Sequence, residues 1–273
     1  MTTTRSQRWR ERREAWRRTG ETIDPRRFGV EVLDREVARA FVERHHYAGT
    51  FVAARLSVGL FRSRGAFWAP ELVGVAAFSV GPQPAAIPRW TGRPASEGVE
   101  LGRLVLLDDV EANGETWFLS RAFGVLAVEL PEVRAVLSYS DPVPRSTLDG
   151  RVVTPGHVGE VYQAFGGRYV GRSGSRLLHL DAEGRALSPR SLSKVRLGER
   201  GASAAYDDLV ARGAPRIRPG EAPAAWVERV LREGPFRPVR HPGNHAYVWP
   251  VGHGKAATRA GLAPELDAPR RAA

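Results

Sequence analysis

The feature that most constrains this chain is an apolar run, a helical segment and a second apolar run that follow one another within residues 99–141. Residues 101–107 form a run of strand length, and residues 134–139 form another that is rich in β-formers. Between them, Asn113 and Glu115 supply helix-start chemistry, and apolar residues then recur at helical spacing. A strand, a crossover helix and a strand make a βαβ unit, which predicts two parallel strands in one sheet.

Polar side chains stand where these two predicted strands end. Asp108 and Asp109 follow the first strand, and Ser140 and Asp141 close the second. Because ligands of open α/β sheets bind at the carboxyl ends of the strands, we expect a ligand cleft here. The order of the predicted elements around this unit indicates an α/β (α+β) fold with a GNAT-like mixed central sheet flanked by helices.

Composition and charge narrow the classes of function. The 273 residues carry 41 lysines and arginines against 30 aspartates and glutamates, a formal net charge of +11. This surplus favours contact with polyanions such as nucleic acid, while the alternative is a basic enzyme with no such partner. The absence of cysteine excludes a disulfide framework, a cysteine-ligated zinc finger and a thiolate nucleophile. Without an apolar run of membrane-spanning length or a secretory signal, we expect a soluble, cytoplasmic protein with no membrane partner.

The sequence predicts three regions. Residues 1–27 are a basic arm, in which residues 6–18 are compatible with a helix. Residues 28–254 are predicted as a GNAT-like catalytic domain, and residues 255–273 as a disordered tail. The arm and an exposed helical face near residue 196 would follow DNA phosphates, the alternative being ordinary solvated surface. The predicted DNA-binding residues are Arg8, Arg12, Arg13, Lys194, Arg196 and Arg200.

Six short motifs occur in a fixed order along residues 28–250. They are HHY at 45–47, ELGRL at 100–104, NGETWFL at 113–119, SYSDP at 138–142, GHVG with YQA at 156–164, and HAYVW at 245–249. Each motif alone is weak, but their order and spacing together resemble the Mom family of phage DNA-modification proteins and their actinobacterial relatives.

This resemblance implies a GNAT-like fold and hypermodification of adenine in DNA, with a carbamoylmethyl-type group placed on the exocyclic N6. The modification shields phage DNA from restriction enzymes, which implies a phage- or prophage-encoded protein acting on double-stranded DNA with a flipped adenine. Acetyl-CoA or a related acyl donor is the implied cofactor, and Fe²⁺ has been suggested. Residues of the family's Tyr, Arg, Asp and second Tyr motifs match Tyr47, Arg103, Asp141 and Tyr162.

The implied reaction needs a base or a strongly activated donor, because the lone pair of adenine N6 is delocalised into the ring. Asp141, beside Ser140 at the end of a predicted strand, is the base candidate, the alternative being turn formation before Pro142. Tyr47 and Tyr162 would donate a hydrogen bond to a flipped adenine or stack on it, the alternative being core aromatics.

Two further side chains have both a functional and a structural interpretation. His46 is either a base or metal ligand, or a helix cap. Arg103 either clamps a phosphate or an acyl carbonyl, or pairs with a carboxylate such as Glu100. His46, His157 and Asp141 would form an iron site only if the fold brought them together, since their spacing does not indicate one.

The expected pyrophosphate-binding loop of a GNAT enzyme is not evident after the central strand. Residues 108–114 are acidic and contain one glycine. Because such a loop repels a pyrophosphate, an acyl donor would have to be held at the N-terminus of the following helix. The predicted cofactor-binding residues are Leu106, Asn113, Gly114, Glu115 and Thr116.

Two other functions are compatible with the sequence. One is a GNAT N-acyltransferase that acts on a small amine or a protein lysine and does not bind DNA. The other is a non-catalytic DNA-binding protein that has kept the fold. Salt-dependent DNA binding separates the first from a DNA-modifying transferase, and the effect of Asp141→Ala separates the second.

Overall fold

The chain divides into two compact units. The computed structural model describes residues 6–10, 13–17, 22–81, 83–154, 156–252 and 264–269. Unit 1 comprises residues 1–142, 156–173 and 244–273, and unit 2 comprises residues 143–155 and 174–243. The predicted catalytic domain, residues 28–254, therefore includes residues of both units.

Unit 1 contains the strands and helices of the predicted βαβ region. In chain order these are β1 (Ser6–Arg10), β2 (Arg13–Arg17), β3 (Phe28–Val32), α1 (Arg35–His45), β4 (Ala54–Arg62), β5 (Glu71–Ser79), α2 (Ala86–Thr91), β6 (Gly98–Leu106), α3 (Gly114–Glu129), β7 (Ala135–Ser140), α4 (Glu160–Ala164), β10 (Arg168–Arg172) and β13 (His245–Pro250).

Unit 2 contains short strands and three consecutive helices. These are β8 (Arg145–Ser146), β9 (Val152–Thr154), β11 (Arg176–Leu180), α5 (Pro189–Leu197), α6 (Ala202–Ala211), α7 (Pro223–Glu233) and β12 (Arg237–His241).

The main sheet of unit 1 has seven strands in the order β10-β13-β7-β6-β5-β4-β3. Strands β6 and β7 are parallel and are joined by α3, whereas every other neighbouring pair in this sheet is antiparallel. The structure thus confirms the predicted βαβ unit and the predicted class, a mixed central sheet flanked by helices.

Helices pack on this sheet through the apolar faces that the sequence predicts. The α3 residues Phe118, Leu119, Ala122 and Leu126 are fully buried in the main core. A smaller core cluster joins Ala38 and Val42 of α1 to Val75 and Val105. Asp34 starts α1 by accepting hydrogen bonds from the backbone N–H groups of Glu36 and Val37.

The N-terminal arm differs from what its sequence allows. Residues 6–18 are compatible with a helix, but β1 and β2 pair as an antiparallel hairpin. A helix with arginine on every face buries no side, whereas antiparallel strands satisfy each other's backbone groups. Helix α1 ends at His45, with His46 as its C-cap.

Part of the predicted tail, residues 264–269, lies against unit 1. The backbone N–H of Leu266 donates to the Tyr169 carbonyl at 2.8 Å, and Gln163 Nε2 donates to the Pro269 carbonyl at 3.1 Å. The rest of residues 255–273 lies outside the described residues. None of the helices in the described ranges combines the length and apolar character that a membrane crossing requires.

Unit 2 has its own hydrophobic core. Trp226 and Leu209 are fully buried within it, and Trp226 Nε1 donates to the Pro215 carbonyl at 2.8 Å. Helix α5 begins at a side-chain cap, because Ser188 Oγ accepts the backbone N–H of Ser191 and proline follows at the first helical position.

Candidate active site

The parallel strands β6 and β7 are paired over only three residues. Their register runs from Gly98 opposite Ala135 to Glu100 opposite Leu137 and then stops. Beyond that point the Ser138 hydroxyl donates to the Leu101 carbonyl at 2.9 Å, so a side chain replaces the backbone ladder. The backbone pairing of the two strands therefore ends before their carboxyl ends, and we call this region, where the sequence predicted a ligand cleft, the notch.

Arg103 is held on the wall of this notch by neutral acceptors. Its guanidinium donates to the Thr50 carbonyl at 2.9 Å, to Thr50 Oγ1 at 3.0 Å and to the Gly102 carbonyl at 2.6 Å. Burial lowers the pKa of Arg103, and the nearby Tyr47, Glu100 and Tyr162 act in the opposite direction. Arginine remains protonated under these conditions, so the notch contains a fixed positive charge.

A β-bulge at Gly102 sets the position of Arg103. Opposite β5, Ala77 pairs with Arg103 and Phe78 with Leu101, which leaves Gly102 as the extra residue. A Cβ atom at Gly102 would lie 2.8 Å from Ser79 Oγ and 3.2 Å from Val52 Cγ1. The bulge therefore fits glycine, and the preceding and following residues are redirected around it.

Tyr162 reaches the notch from α4. Burial raises the pKa of Tyr162, while a hydrogen bond to Ser138 opposes that effect, so the phenol stays protonated at neutral pH. Its ring lies 5.7 Å from that of Tyr247 and 5.5 Å from that of Trp249. Helix α4 starts at Gly159, whose φ of +81° favours glycine and whose Cβ would lie 2.6 Å from the Tyr247 ring.

His46 and Tyr47 enter the notch from the end of α1. Their rings stack with centroids 4.3 Å apart, and His46 Nδ1 accepts the backbone N–H of Ala48 at 3.1 Å. Burial lowers the pKa of His46 to about 3, and Arg103 and His157 add to this effect. His46 is therefore neutral at pH 7 with its proton on Nε2, which makes it a hydrogen-bond donor toward the notch and a poor base.

Asp141 lies at the end of β7 and is joined to His157. The Asp141 carbonyl accepts the His157 backbone N–H at 2.8 Å. Burial lowers the pKa of His157, and the Asp141 carboxylate opposes this. The neighbouring Ser140 is fully buried, and its hydroxyl has no hydrogen-bond partner among the described residues.

These contacts bring most of the predicted catalytic residues to one hollow. Arg103 interacts electrostatically with Tyr47 and Tyr162, and His46 with Arg103 and His157. Asp141 connects to the same group through His157. The four residues matched to the Mom motifs, Tyr47, Arg103, Asp141 and Tyr162, are thus placed around a single notch.

Sequence reasoning missed three further residues of the notch. Glu100 and Ser138 lie inside the ELGRL and SYSDP motifs. Only the structure shows that both lie where the pairing of β6 and β7 ends. Thr50 carries no signal in the sequence, because its contribution is a carbonyl and a hydroxyl presented to a residue 53 positions away.

The start of α3 does not fit the pyrophosphate of an acyl-CoA. Leu106 is buried in the main core at 6% exposure. Asn113 has a φ of +66° and makes no side-chain cap, while the Gly114 N–H donates to the Glu111 carbonyl and Thr116 Oγ1 donates to the Asn113 carbonyl. The carboxylates flanking this helix end, which would repel a pyrophosphate, are Asp108, Asp109, Glu111 and Glu115.

Two nearby arginines are bound by carboxylates of this loop and offset only part of its negative charge. Arg27 contacts Glu111 at 3.1 Å, and Arg62 contacts Asp109 at 2.8 Å. Both guanidinium groups are therefore already paired with the loop, and no step of the chemistry is routed through a nucleotide bound there.

His46, His157 and Asp141 do not fit an iron centre. Within the described ranges, no three His, Asp or Glu side chains are positioned to share one metal ion. His46 is unsuited as a metal ligand because its Nδ1 already accepts a hydrogen bond from the backbone N–H of Ala48.

The predicted DNA-binding residues lie in different parts of the chain. Lys194, Arg196 and Arg200 lie in or just after α5 of unit 2, and Arg196 and Arg200 are exposed. Arg8 and Arg13 belong to β1 and β2, and Arg12 lies outside the described residues.

Comparison with known proteins assigns this sequence to a family. The sequence matches the Mom protein family over residues 27–218. It is 30% identical to the methylcarbamoylase mom of Escherichia phage Mu over 156 residues, 56% of this chain and 58% of that protein. The chain thus matches 58% of the length of this curated relative.

A solved tandem GNAT protein from the clavulanic acid biosynthesis pathway, without AcCoA, is similar with a TM-score of 0.41 and 11% identity, covering 84% of this chain and 100% of that one. A likeness this weak carries no weight in the functional argument. The match over residues 27–218 covers well over half of the sequence, and the chain belongs to the Mom protein family.

Proposed function

We propose that the protein is a DNA-modifying transferase that adds an acyl or carbamoylmethyl-type group to N6 of adenine in double-stranded DNA. The observation that carries this proposal is the convergence of Tyr47, Arg103, Tyr162 and the Asp141–His157 pair on one notch. The family and the name of the phage Mu relative agree with a DNA-modification role.

The chemistry of the notch suits transfer to an aromatic amine. An adenine inside a duplex cannot reach a notch between two strands, so the target base must be flipped out of the stack. Tyr47, already stacked on His46, offers a ring on which a flipped base can stack. Tyr162 Oη and His46 Nε2 supply protonated donors to ring nitrogens or to the transferred group.

Arg103 is suited to stabilise the charge that develops during transfer. For an acyl group, N6 attacks a carbonyl carbon and negative charge accumulates on the carbonyl oxygen, whereas a carbamoylmethyl group would be joined through its methylene carbon. Arg103 is fixed by three hydrogen bonds to neutral groups, so its charge is oriented without being cancelled by a carboxylate. A donor with an activated carbonyl is the chemical class that this arrangement favours.

Unit 2 is suited to hold the duplex. It contains fifteen lysines and arginines against nine aspartates and glutamates, a surplus of six of the chain's eleven positive charges in less than a third of its length. Such a surplus binds phosphates without reading sequence. We therefore assign duplex contact to unit 2 and base chemistry to the notch of unit 1.

The test is nucleoside analysis of DNA from bacterial cells that express the protein. Digested DNA from wild-type cells is expected to contain a deoxyadenosine of increased mass, and DNA from cells expressing Arg103→Ala is expected to contain at least 100-fold less. Arg39→Ala, which changes a partly exposed arginine of α1 paired with Glu36, is the matched control and keeps the wild-type level. Unaltered deoxyadenosine in cells that contain folded wild-type protein would refute the proposal.

A further inference from the structure

Glu100 lies at the point where β6 and β7 part. It is the last residue of β6 that pairs with β7, opposite Leu137, so it stands at the root of the notch. Its side chain is half-buried and interacts electrostatically with Arg103, Tyr139 and Tyr162. The Glu100 carboxylate forms no hydrogen bond or ion pair with any side chain in the described part of the chain.

The bulge at Gly102 explains why Glu100 and Arg103 share one side of the strand. Residues three positions apart in a regular strand face opposite sides of the sheet. Because Gly102 is an extra residue in β6, the side chains of Glu100 and Arg103 face the same side of the sheet. Arg103 nevertheless uses its donors on Thr50 and Gly102, so the carboxylate is near a positive charge without being neutralised by direct contact.

An acid in this setting has the properties of a base at neutral pH. Burial raises the pKa of Glu100 to about 7, and Arg103 partly opposes the rise. A general base is most effective when its pKa is close to the working pH. Asp141, in contrast, is tied to the segment that carries His157 and is better placed to position that histidine.

We propose that Glu100, and not Asp141, is the general base that accepts the N6 proton of the flipped adenine. This inference rests on the proposed function. As the N6 lone pair forms a bond to the carbonyl carbon of an activated acyl donor, the bond from that carbon to the leaving group breaks and its electron pair departs with the leaving group. The N6 proton moves to Glu100 Oε, and Arg103 balances the charge on the carbonyl oxygen.

The experiment measures the rate of adenine modification against pH. Purified full-length protein is incubated with duplex DNA and a protein-free filtrate of bacterial cells, which supplies the donor, between pH 5.5 and 9. The wild-type rate is expected to rise about tenfold per pH unit up to the pKa of Glu100 near 7 and then to level off. Glu100→Gln is expected to be slower by about 10²–10⁴-fold and to lose this rise.

Two further variants separate catalysis from folding. Glu100→Asp keeps a carboxylate and is expected to retain the pH-dependent rise at a reduced rate. Glu129→Gln changes an exposed glutamate at the end of α3 and keeps the wild-type rate and profile. Thermal unfolding of each variant identifies any loss that is due to folding alone.

The outcomes distinguish this inference from the proposed function. If wild-type protein modifies adenine and Glu100→Gln keeps the rate within threefold and the same pH profile, Glu100 is not the base while the function stands. If Asp141→Asn removes the pH-dependent rise and Glu100→Gln does not, the base is Asp141. If wild-type protein yields no altered nucleoside, the function and the role of Glu100 fail together.

Discussion

The ion pairs inside unit 2 and the notch of unit 1 differ in how their ionisable side chains are paired. In unit 2, buried Asp181 accepts hydrogen bonds from Arg185 and Arg212, each at 2.9 Å, and Glu221 pairs with Arg229 at 2.6 Å. In unit 1, Arg103 binds only neutral groups at the notch. Charges that are paired hold a structure together, whereas charges that remain unpaired in a partly buried site are available for chemistry.

The pKa shifts follow the same division. Burial alone would raise the pKa of Asp181, but hydrogen bonds from the Arg185 backbone and Arg212 hold it below its ordinary value. Burial of Glu100 is not offset in this way, and its pKa rises to about 7. The difference indicates that ion pairs stabilise unit 2, whereas the notch keeps an ionisable group without a paired counter-charge, as the proposed reaction requires.

The largest effect is expected from a substitution in the core of unit 2. Trp226→Ala is expected to cost about 3–5 kcal/mol of the free energy of unfolding of unit 2, because a fully buried indole is replaced by a cavity. Urea denaturation followed by circular dichroism measures the loss. Trp68→Ala, at a site that is 66% exposed, is the control and changes stability by less than about 0.5 kcal/mol. Equal losses in the two variants would contradict the assigned core.

The next test separates backbone strain from placement of the notch tyrosines. Gly159→Ala and Gly166→Ala both force alanine to a positive φ, at +81° and +74°, and each is expected to lose about 1–2 kcal/mol of stability. Only the first adds a Cβ atom 2.6 Å from the Tyr247 ring, which also packs on Tyr162. Adenine modification is therefore expected to fall about tenfold in Gly159→Ala alone. A similar fall in Gly166→Ala would show that strain, not tyrosine placement, is responsible.

The third test addresses the charges of unit 2. A variant with glutamine at Lys194, Arg196 and Arg200 is expected to bind duplex DNA about tenfold more weakly. The slope of log K against log salt concentration should become less negative by up to about 2.7, roughly 0.9 for each lost phosphate contact. Fluorescence anisotropy at several salt concentrations measures both. The matched control replaces three arginines that already have acidic partners, Arg26, Arg39 and Arg232. An equal effect in the control would mean that the position of the charge is irrelevant.

The last test concerns the pH dependence that His46 gives to stability. Its pKa in the folded protein is about 3, below the value of 6.5 in an unfolded chain, so the unfolded state binds more protons between these limits. The stability that neutral His46 contributes is present above pH 6.5 and is lost as the pH falls through this window. Between pH 7 and pH 4 the melting temperature of wild type should therefore fall more steeply than that of His46→Gln. Parallel curves would contradict the burial of this ring.

The predictions that succeeded depended on local patterns. The apolar runs and helix-start residues of the βαβ unit are visible in sequence because strand and helix periodicities are local properties. Residues that form the notch were partly found, since Tyr47, Arg103, Asp141 and Tyr162 lie in recognisable motifs. The arm is compatible with a helix in sequence, but Ser6–Arg10 pairs with Arg13–Arg17 as antiparallel strands.

The sequence by itself determined the strand–helix–strand order of the βαβ unit, its parallel pair and the excess of positive charge, because these depend on neighbouring residues and composition. Tertiary structure alone decided that β6 and β7 separate after Glu100, that a bulge turns Arg103 toward it, and that unit 2 forms its own core. The physical reason is that strand register, burial and the resulting pKa shifts arise between segments far apart in the chain. Arg103 and Thr50, 53 positions apart, meet only once the sheet has formed.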